Sequence, residues 1–305
     1  MTIVPPIPDN RWRISDLLAL ARELYAHVKD LPLICPHGHV GPAPLADDAA
    51  FPDPARLLIV PDHYLTRMLL SQGVPPSDLG VPTLDGTPFE QDGRTIWRTF
   101  AAHWHLFRGT PSRLWLEQVL SQIFELRTPL RPDTADALYD ELSARLAEPG
   151  FRPRALFQRF NIEVLSTTDS PLDDLEAHAR LAADGWGGPG GRVIPAFRPD
   201  DVVDMEWGGW AGRVAHLGEL TGEDTGGYKG YIAALEHRRA AFVAAGATST
   251  DHGHPTARTL LLDAAEAARL FQRGLRGEAT ARDAETIVDL AYRLPKRVYR
   301  LERRP

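Results

Sequence analysis

Leu31-Pro32-Leu33-Ile34-Cys35-Pro36-His37-Gly38-His39-Val40 is an apolar run that ends in a pair of histidines. In an extended strand, residues i and i+2 point to the same face. Alternation would therefore set Cys35, His37 and His39 side by side where the strand leaves its sheet. Two neutral imidazoles at that spacing suit a divalent metal such as zinc. Two loop histidines behind a buried strand is the plainer alternative, because H-x-H is short and common. Cys35 reads as a small buried hydrophobe rather than a third ligand.

The context of this run decides between the alternatives. Before it, residues 1–10 are rich in proline and read as irregular. Ser15 is positioned to cap a helix over 16–29, with Leu17, Leu18, Leu20, Ala21 and Leu24 on one face. After it, residues 40–54 read as a proline-rich loop of the kind that covers the mouth of a site. Residues 56–72 read as strand or loop leading into helix, and 73–95 as loop. A block over 95–147 has helical spacing throughout, with breaks near 109–111 and 128–129 and no strands between its helices, so it predicts an inserted helical subdomain. Beyond Gly150 the pattern alternates. Residues 161–169, 192–200 and 246–253 read as strands with polar C-terminal ends, separated by helices over 172–183 and 230–245. That alternation predicts α/β architecture with a parallel sheet. Helices over 260–274 and 280–299 follow. The expected organisation is an N-terminal segment with the first strand and the metal motif (1–94), a helical insertion (95–150), and the remaining βα units with C-terminal helices (151–305).

The totals are those of a globular protein. The chain has 305 residues, 43% hydrophobic and 25% charged, with a net charge of −7 and one cysteine. The acidic balance argues against a nucleic-acid partner or an anionic membrane. One cysteine rules out an intrachain disulfide and fits a reducing compartment. No signal-like start and no apolar run near ~20 residues is present, so the expected location is the cytoplasm.

Parallel α/β sheets carry their sites at the C-terminal ends of strands, and the polar strand ends here supply candidates. His37 and His39 are the candidate metal ligands, and Asp251 and His252 the candidate catalytic or metal-site pair, with His254 a further possibility. Arg198 suits bidentate binding of a substrate carboxylate, against a salt bridge to Asp200 or Asp201. Thr167, Thr168 and Asp169 suit substrate hydroxyls, or else cap the next helix. His63 and Tyr64 are candidate acid–base groups. His103 and His105 fall in helix, where i and i+2 diverge by about 200°, and read as structural.

Taken together, several segments in this order resemble the uronate (glucuronate) isomerase family of the amidohydrolase superfamily. They are Pro36-His37-Gly38-His39, Asp62-His63-Tyr64, His103-Trp104-His105-Leu106, the segment 165–174, Ile194-Pro195-Ala196-Phe197-Arg198-Pro199-Asp200 and Ala247-Thr248-Ser249-Thr250-Asp251-His252-Gly253. The resemblance implies a (β/α)8-barrel-type fold with a helical insertion. It also implies aldose–ketose interconversion of glucuronate with fructuronate and of galacturonate with tagaturonate. By the same resemblance, the metal maps onto His37 and His39, the mouth residues onto His63 and Tyr64, and the carboxylate anchor onto Arg198. The family's later strands, one with a histidine and the last with an Asp and an Arg at the metal, have no counterpart here. The expected fold is therefore a barrel shortened to about half, its metal site open, its uncovered sheet shielded by homo-oligomerisation or by the C-terminal helix. A remnant without activity is the alternative within the family, and a metal-dependent hydrolase the alternative outside it.

Overall fold

The computed structural model of the chain describes residues 15–83, 86–186, 191–253 and 262–279. His254, residues 1–10 and the helix expected over 280–299 lie outside them. The chain divides into two compact units, one of Met1–Leu31 with Asp48–Arg159, the other of Pro32–Asp47 with Phe160–Pro305.

The first unit is helical. Asp53 caps the helix Pro54–Leu58 by accepting from the amides of Ala55 and Arg56, and Asp62 caps His63–Leu70 by accepting from those of Tyr64 and Leu65. Each carboxylate satisfies amides that the first helical turn leaves without partners. Asp92 does the same for Gly93–Ala102. The expected breaks appear: Thr110 caps Pro111–Gln118, and Ala135–Leu146 begins after the proline-rich stretch that follows Thr128. Residues 56–72, read as strand or loop leading into helix, hold the end of one helix, Pro54–Leu58, and a second, His63–Leu70. They share one apolar core with the block 95–147, in which Ile59, Leu65, Leu69, Trp97, Phe100, Leu116, Leu138 and Leu142 are fully buried. His103 and His105 turn their Nδ1 atoms back onto the carbonyls of Thr99 and Ala102, a structural use.

The second unit is built on a parallel sheet. Its strands are β1 (Leu33–Cys35), β2 (Ile162–Ser166) and β3 (Arg192–Ile194), in the order β1-β2-β3. Register runs Leu33 to Ile162, Cys35 to Leu165, Leu165 to Val193 and Ser166 to Ile194. β1 stops at Cys35, two residues before His37, because Pro36 has no amide hydrogen to continue the ladder. The histidines therefore lie in a bend and loop beyond the strand, and strand alternation is not what brings them together. The strand expected over 246–253 is reduced to a bridge from Thr250 to Phe197, made by Phe197 N to Ser249 O and Asp251 N to Phe197 O. Three strands and this bridge are consistent with part of a barrel. A short helix, Pro42–Asp47, interrupts the expected loop over 40–54 and packs on the helix Glu176–Ala183. The helices Trp210–Thr221, Tyr228–Ala244 and Ala264–Leu275 enclose a core in which Val202, Val214, Leu217, Tyr231 and Phe271 are buried. Among the described residues, β1 pairs with β2 alone, and Leu33 and Ile34 are 50% and 64% exposed.

Candidate active site

The C-terminal ends of the strands in the second unit gather six of the expected residues, His37, His39, Thr168, Arg198, Asp251 and His252. The Nε2 atoms of His37 and His39 lie 2.7 Å apart, a hydrogen-bond distance at which one ring donates its N–H to the other. Gly38 sets this turn. A Cβ there would stand 2.6 Å from Ser166 O and 3.3 Å from Leu165 Cδ1, so only glycine lets the turn lie against β2. Thr168 completes the hold by donating its hydroxyl to Gly38 O at 2.7 Å. The hydroxyl expected to reach a substrate is thus engaged in fixing the histidine turn.

Next to the turn is a charged chain. Asp251 Oδ1 is 3.7 Å from His37 Nδ1, on the side of the ring away from His39. Arg198 donates from Nε to Asp200 Oδ2 at 2.7 Å and from Nη1 to Asp251 Oδ2 at 2.9 Å. Its guanidinium is held more strongly protonated, Asp200 foremost and Asp251 adding to it. Of the two acids weighed as structural partners, Asp200 is engaged. Asp201 instead accepts from Ser170 Oγ at 2.7 Å. Asp200 also accepts from the amide of Gly253 at 2.8 Å, and its other oxygen is 3.8 Å from His252 Nδ1.

Asp169 occupies a different environment. It is 2% exposed, and its Oδ2 accepts from Thr167 Oγ1 at 2.6 Å. It neither faces solvent nor caps a helix, since the next helix begins at Glu176 behind Leu175. Burial foremost, with a further push from Asp173, raises its carboxyl to about 6. An unfolded aspartate titrates near ~3.9. Between those values the folded chain holds the proton and the unfolded chain does not, so stability falls as pH rises from about 4 to about 6. Burial lowers the proton affinity of His178, which acts with the opposite sign just below ~6.5. Replacing Asp169 by asparagine should remove the first effect. In urea titrations the variant is expected to gain about 2 kcal/mol on wild type between pH 4.5 and pH 7.5; parallel pH profiles would refute this.

His63 and Tyr64 belong to the other unit. They are exposed at the start of the helix His63–Leu70, ring centroids 4.3 Å apart. Sequence reasoning passed over His178 and the close approach at Gly38. A histidine three residues before a buried leucine, Leu181, on an amphipathic helix was the available signal for the first.

A tetrahedral zinc with Zn–N bonds near ~2.05 Å places two ligand nitrogens about 3.3 Å apart. A small opening of the histidine turn reaches that spacing, so the pair fits two corners of a metal shell. Catalytic zinc sites use three protein ligands and structural ones four. Among the described residues no group of three or more His, Cys, Asp or Glu could hold a metal ion. Cys35 is half-buried at the end of β1. The described donors therefore do not complete a metal site.

Comparison with known proteins agrees with the site's sequence motifs. The family model for glucuronate isomerase matches residues 14–291. A uronate isomerase from Rhizorhabdus wittichii is 54% identical over 283 residues, which is 93% of this chain and 57% of that protein. One from Mesorhizobium japonicum is 55% identical over 265 residues, 87% of this chain and 56% of that protein. The crystal structure of glucuronate isomerase from Caulobacter crescentus superposes with a TM-score of 0.82 at 46% identity, covering 93% of this chain and 57% of that one. The uronate isomerase structure from Thermotoga maritima shares the fold, with a TM-score of 0.78 at 24% identity. The chain spans somewhat more than half the length of the relatives it matches, and over that span it belongs to the glucuronate isomerase family.

Proposed function

We propose that this chain supplies part of a uronate isomerase active centre, acting on D-glucuronate and D-galacturonate to give the corresponding ketoses. The observation that carries this reading is the family match over residues 14–291, together with the convergence of His37 and His39 at the end of β1. Moving the C2 proton to C1 and a proton between O1 and O2 needs an acid–base group, a group that polarises oxygen and a carboxylate anchor. Arg198 is the proposed anchor, its fork oriented by Asp200 and Asp251. Asp251 and His252 are the proposed proton-handling groups of this unit, and His63 and Tyr64 those of the helical unit. Thr168 positions the histidine turn rather than substrate, and Asp169 supports it from the interior. His37 and His39 are the proposed ligands of a divalent metal, zinc, which would polarise a substrate oxygen; among the described residues no further donors complete its shell.

The apolar edge of β1 supports a homo-oligomer as the working state, since an uncovered parallel edge is a pairing hazard. A mass above the monomer in light scattering is expected. No described helix is long and apolar enough to cross a membrane. The single cysteine supports a cytoplasmic location.

A second reading within the family is a binding remnant without turnover. It is favoured by the incomplete donor set and by the 57% span. One experiment separates the two: purified chain with each hexuronate, with and without added zinc, followed by ketose formation. Zinc-dependent turnover that His39→Ala abolishes is expected. No turnover from protein with a native circular dichroism spectrum would decide for the remnant.

A further inference from the structure

Behind the candidate site lies a second group of polar side chains that the proposed chemistry does not use. Thr167, Asp169 and His178 are 0%, 2% and 3% exposed. Thr167 Oγ1 stands 2.6 Å from Asp169 Oδ2, 2.8 Å from His178 Nε2 and 3.3 Å from Ile194 O. A hydroxyl has one hydrogen and two lone pairs, so it can donate to only one of these three. The distances place that donation on Asp169. His178 must then be the donor to Thr167, with its hydrogen on Nε2. The other ring nitrogen, Nδ1, is buried without a hydrogen-bond partner. A lone pair left there is less costly than an N–H left there, which favours the same tautomer.

We propose that Thr167, Asp169 and His178 form one buried proton-sharing cluster, with His178 fixed as the neutral Nε2–H tautomer and Asp169 the group that takes up the proton. When Asp169 is ionised, the order of donation is His178 to Thr167 to Asp169. When Asp169 is protonated, its O–H donates to Thr167 Oγ1, the Thr167 hydrogen turns to Ile194 O, and His178 is unchanged. One proton enters and no group changes place.

The surroundings fit a single titrating carboxyl. The turn after Asp169 brings Asp173, a like charge that opposes ionisation together with burial. Arg238, from the helix Tyr228–Ala244, is spent on the carbonyls of Pro171 and Asp173. The helix of His178 also carries Glu176 and Arg180, and Arg180 pairs at the surface with Asp47 of the helix Pro42–Asp47 packed on it. β3 contributes Arg192, which is exposed. Arg198 is engaged by Asp200 and Asp251.

The cluster is tied to the site through backbone. Asp169 O accepts from the amide of Arg198 at 2.9 Å, and Thr168, between the two cluster residues of β2's end, holds Gly38 O. Thr167, Asp169 and His178 are thus positioning residues for Arg198 and the histidine turn, and the inference stands independently of the isomerase reading.

Nuclear magnetic resonance of the full chain, uniformly labelled with carbon-13 and nitrogen-15, tests it. The Asp169 carboxyl carbon is expected to titrate near pH 6, and the His178 ring to stay neutral with its hydrogen on Nε2 from pH 8 to pH 5. The amides of Gly38 and Arg198 should inflect at the Asp169 midpoint. Thr167→Val, which removes the donor to the carboxylate, should raise that midpoint by about one unit. An Asp169 midpoint below 4.5, a His178 ring that ionises or carries its hydrogen on Nδ1, or site amides that do not follow Asp169 would each overturn the proposal. The wild-type titration alone is decisive if the valine variant does not fold.

Discussion

Trp97→Ala is expected to destabilise the helical unit by about 4 kcal/mol, the upper range for truncating a buried aromatic side chain. Trp97 is fully buried, and its Nε1 donates to Ala135 O at 3.0 Å. That bond fastens the helix Gly93–Ala102 to the first residue of Ala135–Leu146. Phe100 and Tyr139 pack around the indole, with centroids at 6.1 and 6.4 Å. Truncation would leave a cavity that two helices joined at this point cannot both close. Ala135 O would also lose its indole donor, though it keeps its place in the helical ladder. Trp97→Phe retains a ring and loses the N–H, so a smaller loss of about 1–2 kcal/mol is expected. Urea unfolding followed by the helical signal in far-ultraviolet circular dichroism measures both. A loss below ~1.5 kcal/mol for the alanine variant would show that the unit closes around the gap. Since whole domains are stable by only ~5–15 kcal/mol, the expected loss brings this unit near its limit.

The physical reach of each signal explains what the sequence could and could not disclose. Helix starts set by a carboxylate are local events, since Asp62 acts on amides two and three residues away, yet the reading of 56–72 as strand or loop leading into helix did not use that signal. The polar ends of β2 and β3 were legible because strand–helix alternation is itself a short-range pattern. The end of β1 was misjudged by four residues: alternation was carried through Pro36 to His39, although the ladder has no donor to continue at Pro36. The strand at 246–253 was overextended for a related reason, since its pairing joins Thr250 to Phe197, 53 residues earlier. Contacts set by the fold were out of reach. Arg198 was weighed against its neighbours Asp200 and Asp201, yet its second partner is Asp251, 53 residues away. Asp169 carried the residue type of a substrate ligand, and only the packing of His178 and Thr167 over it shows that it faces inward. Residue type indicates what chemistry a side chain can perform; burial decides whether it is available for it.

Gly38→Ala is expected to open the histidine turn, and its effect can be told from general damage. The clash is with Ser166 O, a backbone atom at 2.6 Å. Relief therefore requires β1 and β2 to separate just beyond the pairing of Cys35 with Leu165, rather than a side chain to rotate. Overpacking of this kind costs about 2 kcal/mol, a fall in melting temperature of roughly 4–8 °C for a unit of this size. The same movement takes Gly38 O away from the Thr168 hydroxyl and parts the two Nε2 atoms, so under the proposed metal role of the pair zinc affinity should fall about tenfold or more, as it does when the groups orienting metal ligands are lost. Gly41→Ala is the control. The nearest atom to a Cβ there is Pro44 Cδ at 3.9 Å, an ordinary contact, and neither stability nor zinc binding should change. Thr168→Val removes the hydroxyl without the clash. It should weaken zinc binding with a smaller loss of stability, which separates orientation of the turn from strain in the sheet. Calorimetric zinc titration of the three variants reads the difference. Equal affinity in wild type and Gly38→Ala would mean that the ladder end does not position the histidines, and that the turn closes by itself around the ion.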